Sequence, residues 1–480
     1  VQNRKPIYTA VQKYTEEMGL RLHMPGHGGG FGFDDAAWRQ IAMFDVTEVP
    51  GTGDLHVMEG DMEAARMLLA QAYGAQESLF LVNGASSGIH TLFLSLNPGS
   101  KVLVPRNAHR SFFSGLVLSG LDPVYIPGKI NYYYGFTMSI QSSDIMALLR
   151  RHSDVQAVFI TSPNYFGINC DVEGICQGVS SLNENTLVFV DEAHGGHFPF
   201  HPEYPAPALR SGADAAVNGL HKTLPVLNQG ACMHLQDKKF FYDRVLPAWS
   251  MITTSSPSYP ILVSIDAARC LMMTEGEEIL DKARQLSQCY KSKIGEIEGL
   301  SVFTEEDLSS IPGPLELDPL KILIGTRDLA LRGEELMSVL RREYAIQVEL
   351  AGSNYILAMM SMFHQPGEWE RFYLALKAIA ARYRGGSRAK PCIRIPPQPN
   401  LILTPRKAYF SSGIEVDFSD CRGKIAGEMI APYPPGIPCL LPGELISEEV
   451  YEYLQYLKDE KVSLQGPGDR YLNRIKIIDV

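Results

Sequence analysis

The chain has no run of about 18 consecutive apolar residues, so no segment is long enough to cross a bilayer as a helix. It has no Cys-x-x-Cys pair. Its eight cysteines are scattered at 170, 176, 232, 270, 289, 392, 421 and 439, a spread that describes reduced thiols in a cytoplasmic enzyme and no disulfide framework. Nor is there a basic excess: 43 Lys and Arg stand against 54 Asp and Glu, a net charge of -11, which argues against a nucleic-acid partner. The first twenty residues are amphipathic and charged, without the apolar centre of a signal peptide. The expected location is therefore the cytoplasm, with neither membrane nor nucleic acid as a partner. There is no internal repeat and no low-complexity tract. What is present is 480 residues, 45% hydrophobic and 20% charged, the make-up of an ordinary globular protein of two or three domains.

From about Glu77 onward, short apolar runs of strand type alternate with helix-length amphipathic segments. "SLFLV", "KVLVP", "PVYIP", "QAVFIT", "TLVFVD", "ADAAVNG" and "GACMHL" are the strands of this pattern. Apolar runs separated by helices indicate an α/β domain with a mainly parallel sheet covered on both faces. In such sheets ligands collect at the carboxyl ends of the strands. A helix over about 259–289 leads out of this domain. Beyond it "LSVFTEE", "PLKILIGT", "AIQVEL" and "NYILAMMS" interleave with helices near 330–343 and 366–385, an α+β pattern. The Gly-, Pro- and Arg-rich stretch 384–400 reads as a boundary, and the prolines of "APYPPGIPCLLPGE" exclude a long regular element there. The expected division is an N-terminal segment 1–45, a major domain 46–290, a small α+β domain 291–390 and a C-terminal subdomain 391–480.

Three clusters fall at predicted strand ends. Lys222 follows "ADAAVNG". As a loop lysine it simply snorkels to water; desolvated, its free amine attacks a carbonyl and forms a Schiff base. Asp191 ends "NTLVFVD". It suits a helix cap, and it equally suits pairing with the pyridinium nitrogen of pyridoxal phosphate, which keeps that ring an electron sink. "VNGASSG" ends a strand in a glycine turn and opens a helix, so its backbone N–H groups with Ser86 and Ser87 form a phosphate site. His109, after the next strand, is either a loop histidine or a flat surface for a ring. "DEAHGGHFPFH" packs Asp191, Glu192, His194, His197 and His201 together, which raises zinc as a competitor. The glycines between the histidines suit a tight loop better than a rigid ligand face, the segment is not HExxH, and no metal is expected.

Taken in order, "RLHMPGHGGG" (21–30), "DLH" (54–56), "NGASSG" (83–88), "PRNAHRS" (105–111), "SPNYFG" (162–167), "VDEAHGGH" (190–197), "LHKTLPVLNQ" (220–229) and "APYPPGIPCLLPGE" (431–444) resemble the Orn/Lys/Arg decarboxylase family. The resemblance spans nearly the whole chain. It implies a fold type I, aspartate aminotransferase-like major domain with a seven-stranded sheet, and the compact, Gram-positive type of the family, for which arginine or lysine decarboxylation is usual. It implies that Lys222 holds the cofactor as a Schiff base, Asp191 pairs with the pyridinium, and His109 stacks on the ring. His194 would then sit in the cofactor pocket, with Ser86 and His221 on the phosphate beside Gly84, Ala85 and Ser87. "TTSSPSY" (253–259) is similar to a family segment that reaches a phosphate across a dimer interface, placing Ser255 and Ser256 at the neighbour's cofactor. That implies a homodimer or larger assembly with shared sites. A basic substrate, arginine before lysine, needs an acidic partner, for which Asp54 and Glu444 are the candidates.

The chain departs from the family in two places that bear on the phosphate. Where a hydroxyl residue is usual, two positions before the His-Lys pair, it has Gly219, and the family's Gly-Thr-Ser turn reads Gly84-Ala85-Ser86. Two hydroxyls lost at about 1.5–3 kcal/mol each weaken cofactor binding unless Asn218, Ser87 or a water compensates. Two other readings stay open: a pyridoxal-phosphate aminotransferase or lyase using Arg394 for the substrate carboxylate, and a degenerate member that binds the cofactor weakly and serves a structural role.

Overall fold

The computed structural model describes residues 2–309, 313–385, 397–433 and 436–479. Its centre is a seven-stranded sheet built from β1 (Glu77–Leu81), β2 (Lys101–Pro105), β3 (Asp122–Ile126), β4 (Val155–Thr161), β5 (Leu187–Asp191), β6 (Ala215–Asn218) and β7 (Ala231–Leu235), in the order β1-β7-β6-β5-β4-β2-β3. Side chains alternate across a strand, and both faces of these strands are apolar. On β4, Ala157 and Phe159 join one core with Phe93 and Phe112, while Val158 and Ile160 join another with Ile145, Leu149 and Ile175. Helices therefore cover both faces. β4 pairs in parallel with β5, Thr161 opposite Asp191, and β5 with β6, Asp191 opposite Val217. The polar residues that end these strands are thereby brought to one edge.

β7 runs antiparallel to both β1 and β6. A parallel return needs a long crossover, usually a helix. The twelve residues between β6 and β7 hold no helix long enough, only a 3-10 turn at Leu220–Lys222, so the chain turns back instead. That turn carries Lys222.

Helix α1 (Pro6–Glu17) buries Ile7, Val11 and Tyr14 in the main core. Its first turn is tied down by Asp266, whose carboxylate accepts the Ile7 N–H at 2.9 Å. α2 (Ala85–Leu94) follows β1 and α3 (Arg110–Ser119) follows β2. The 37-residue α4 (Tyr259–Gly295) begins in the main core with Tyr259, Leu262 and Ile265 and ends in the next one with Tyr290 and Ile294. That core lies under a four-stranded sheet of β8 (Ser301–Val302), β9 (Lys321–Gly325), β10 (Leu350–Gly352) and β11 (Tyr355–Met359), ordered β8-β9-β11-β10 and packed by α5 (Gly333–Tyr344) and α6 (Pro366–Arg382). The run "AIQVEL" is strand only from Leu350, because Ala345 takes a left-handed conformation (φ 51°) to end α5. A separate core, including Phe418, Ile430, Leu440, Leu454 and Ile477, holds β12 (Gly413–Asp417), β13 (Ile425–Ala426), β14 (Arg474–Ile478) and α7 (Glu448–Asp459). Among the described residues no helix is long and apolar enough to cross a membrane.

Candidate active site

At the carboxyl edge of the large sheet lies a cavity of about 400 Å³ whose walls include Gly84, Ala85, Ser86, His109, Asp191, His194, His221 and Lys222. Each arrives there for a local reason. β1 ends and Gly84, at φ +80°, turns the chain into α2, a conformation that a side chain strongly disfavours. No side chain caps this helix; the Ser87 N–H turns back to the Gly84 carbonyl at 3.1 Å, and the N–H groups of Ala85 and Ser86 before it are left for a ligand. His109 caps α3, its Nδ1 accepting from the Ser111 N–H at 3.3 Å and lying 2.9 Å from the Ser111 hydroxyl. Burial, with Lys222, Arg110 and His90 nearby, lowers His109 to about 4, which keeps the ring neutral at pH 7.

Asp191 closes β5 inside the cavity. Burial raises its carboxyl, opposed by Lys222 and by the Ala193 N–H, which it accepts at 3.2 Å. Its neighbour Glu192 points elsewhere, accepting from Asn218 at 3.0 Å and from the Ala208 N–H at 2.7 Å. Burial pushes Glu192 up to about 7. Lys222 is lowered chiefly by burial, with Asp191 and Glu349 pulling the other way. Its Nζ lies 3.2 Å from His194 Nε2. His221 places Nδ1 3.0 Å from the Gly230 carbonyl, where it donates. An amine of lowered basicity facing a buried carboxylate, beside an uncapped helix start and a flat neutral ring, matches the reactive ends of pyridoxal phosphate: aldehyde, pyridine nitrogen and phosphate.

Other candidates lie elsewhere. Ser87 is buried and donates its hydroxyl to the Gly84 carbonyl at 2.7 Å, and Asn218 is committed to Glu192, so neither hydroxyl nor amide compensates for Gly219. Gly219 itself has no room: a Cβ there meets the Ala193 carbonyl oxygen at 2.9 Å and Lys222 Cδ at 3.3 Å. Asp54 is half-buried and accepts the His56 N–H at 2.8 Å in a turn outside the cavity. Glu444 is fully buried, 2.9 Å from Arg106 and accepting the Leu441 N–H at 2.7 Å; it clamps the C-terminal segment onto the end of β2. Ser255 and Ser256 are exposed and do not line this chain's cavity. His197 turns away to Asp318 at 3.2 Å, and among the described residues no three His, Cys, Asp or Glu group as metal ligands. Arg394 falls outside the described residues.

The structure adds residues to which no role was assigned from sequence. Thr161, Asn164, Tyr165 and Phe166 form one wall, and Gly436 and Ile437 reach in from the C-terminal domain. Lys321 opens β9, is only 5% exposed, and sits 3.0 Å from His194 Nδ1. A lysine opening the apolar run "KILIG" was a readable signal, since lysine is seldom buried without a partner.

Two family models account for almost the whole chain: Orn/Lys/Arg decarboxylase, major domain, over residues 5–367, and Orn/Lys/Arg decarboxylase, C-terminal domain, over residues 395–468. The chain belongs to the Orn/Lys/Arg decarboxylase family. An arginine decarboxylase of Bacillus subtilis (strain 168) is 32% identical to it over 484 residues, covering 99% of this chain and 98% of the relative. Among solved structures, lysine decarboxylase A from Pseudomonas aeruginosa matches this decarboxylase with a TM-score of 0.84 at 19% identity, over 99% of this chain and 81% of that one. A serine palmitoyltransferase from Sphingomonas wittichii matches with a TM-score of 0.55 at 14% identity, over 79% and 84%. The decarboxylase thus has the fold type I architecture and an amino acid decarboxylase's cofactor, pyridoxal phosphate.

Proposed function

We propose that the protein decarboxylates arginine to agmatine, with lysine to cadaverine as its second substrate, in the cytoplasm and as a supplier of polyamine synthesis. The observation that carries this reading is the pairing of Lys222 and Asp191 in one buried cavity at the ends of adjacent strands. The full-length likeness to arginine decarboxylase supports arginine over lysine.

Pyridoxal phosphate, when bound, supplies the electron sink that accepts the pair released as the Cα–carboxylate bond breaks. The chain's own residues do the rest. Lys222, less basic because it is buried, would offer the free amine that holds the cofactor. Asp191 would hold a proton on the pyridine nitrogen, and that cation would offset the cost of burying its charge. His109 presents a ring whose plane is set by Ser111. The uncapped start of α2, with Ser86 and His221, binds the phosphate dianion. Gly436 and Ile437 roof the cavity and limit water. Glu349 accepts a hydrogen bond from the Tyr165 hydroxyl at the cavity wall and bears electrostatically on Lys222, and it is the carboxylate we assign to the substrate's basic end.

A homodimer completes the site in this reading, with Ser255 and Ser256 serving the neighbour's phosphate. Their exposure on a loop, and the exposed apolar side chains of Leu22, Phe31 and Trp38 near the N-terminus, support it. The seven described cysteines are free thiols, six of them buried, which suits the cytoplasm. Carbon dioxide release measured in parallel with arginine, lysine and ornithine tests the assignment. Arginine turns over fastest if it holds; a keto acid product with no carbon dioxide sinks it in favour of aminotransfer.

A further inference from the structure

Two walls of the cavity come from distant stretches of the chain, and one side chain joins them. Arg106 follows β2 directly, and the three residues after it, Asn107, Ala108 and His109, all line the cavity. Gly436 and Ile437 enter from the C-terminal domain, and Pro438 comes next. The Arg106 guanidinium donates through one terminal nitrogen to the Pro438 carbonyl at 2.8 Å and through the other to the Glu444 carboxylate at 2.9 Å. The same Glu444 oxygen accepts the Leu441 N–H at 2.7 Å, so a single guanidinium closes the loop from Pro438 to Glu444.

Both ends of this contact are fixed. At its base, the Arg106 N–H donates to the Ile126 carbonyl at 3.0 Å, continuing the pairing of β2 with β3, and the Ala108 N–H turns back to Pro105 at 3.1 Å. The guanidinium carbon lies 5.5 Å from the centroid of the Tyr125 ring. At its head, the Glu444 side chain is fully buried and that of Arg106 only 12% exposed, so water cannot take the place of either partner. Proline fixes its own φ, so a hold on the Pro438 carbonyl also sets the direction of the Ile437–Pro438 peptide. A lysine ends in one nitrogen, which cannot occupy both terminal positions of the guanidinium.

A second arginine docks the C-terminal domain in another way. Arg406, in the short helix Pro405–Phe410, donates to the carbonyls of Leu118 at 2.7 Å and Val117 at 3.3 Å, in the last turn of α3. His109 caps the opposite end of that helix. We propose that Arg106 is a positioning residue whose forked contact with Pro438 and Glu444 holds the Gly436–Ile437 roof in register with the His109 loop, so that both walls enclose the cofactor at once. Docking through Arg406 does not substitute for this contact.

Hydrogen exchange of the apoprotein reads the roof without the cofactor. The N–H groups of Gly436, Cys439 and Leu440 are bonded to the carbonyls of Pro432 and Ile430, and that of Leu441 to Glu444, so exchange over 436–441 reports opening of this loop. Arg106→Lys keeps the charge and loses the fork. Exchange there should quicken roughly tenfold or more, as for one lost charge-assisted hydrogen bond, with β4 and β5 at their wild-type rates. In the loaded protein, release of pyridoxal phosphate, followed by its visible absorbance, should quicken with it. Arg406→Ala, the control for docking alone, should leave both rates at their wild-type values. If the lysine variant does not fold, Glu444→Gln is read by the same two rates, and both should rise. Wild-type exchange over 436–441 in the Arg106 or Glu444 variant, or an equal quickening in Arg406→Ala, overturns the proposal. So does a faster-exchanging roof with unchanged cofactor release, which would leave Arg106 a purely structural tie. Neither rate depends on which amino acid is decarboxylated, so the proposed substrate is tested separately.

Discussion

Replacing Gly219 with serine supplies the hydroxyl that the family resemblance leads one to expect there, and two opposed effects meet. If the new Oγ reaches the phosphate, a charge-assisted hydrogen bond worth about 1.5–3 kcal/mol tightens the cofactor roughly 10- to 150-fold. Against this stands the space available. The Cβ alone comes within 2.9 Å of the Ala193 carbonyl oxygen, backbone that is itself held by the Gly219 N–H at 3.2 Å, and within 3.4 Å of Lys222 Cε. Forcing atoms into a packed site costs about 1–3 kcal/mol. The backbone at 219 is unstrained (φ -85°), so a non-glycine residue regains about 0.4–1 kcal/mol by stiffening the unfolded chain. The strain is applied to the stem of Lys222, the side chain proposed to hold the cofactor. Gly219→Ser should therefore lower stability by about 1–2 kcal/mol and weaken pyridoxal phosphate binding. Guanidinium unfolding of the apoprotein and cofactor titration by visible absorbance measure both. A variant of unchanged stability that binds the cofactor tenfold tighter refutes the steric reasoning.

Asp191→Asn leaves the shape of the cavity and removes the carboxylate opposite Lys222, so kcat should fall by roughly 10²-fold or more, by analogy with other preorganised charges, with the fold intact by circular dichroism. Glu444, raised by burial from 4.5 to about 7, binds its proton more tightly folded than unfolded, so it lowers stability as pH rises across that interval. The change between pH 5 and 7 amounts to about 2 kcal/mol, and Glu444→Gln should flatten that loss, read by denaturant unfolding at both values. A variant with the wild-type slope would put the pH dependence elsewhere.

The parallel sheet was legible because "QAVFIT" and "TLVFVD" are apolar on both faces, and Asp191 and Lys222 were legible because charge at the end of such a run is costly without a purpose. The antiparallel β7 was not: "GACMHL" has the same composition as its neighbours, and only the short link from β6 gives its direction. Ser87 and Ser86 are adjacent and alike in sequence; helix geometry turns one to the cavity and the other back onto Gly84. Glu444 was readable as an acidic group of consequence, but its partner Arg106 lies 338 residues away, and a long-range ion pair leaves no local pattern. The same holds for Lys321 and His194, which meet across 127 residues of sequence.

The central claim is that Lys222, and not its neighbour Lys321, is the amine that holds the cofactor. Borohydride reduction of the cofactor-loaded protein, followed by peptide mass spectrometry, reads this directly, because reduction fixes the cofactor to the amine that carries it. The account predicts a phosphopyridoxyl group on Lys222, loss of the visible absorption band on reduction, and neither adduct nor carbon dioxide release in Lys222→Ala. An adduct on Lys321, or decarboxylation at the wild-type rate in Lys222→Ala, would contradict it.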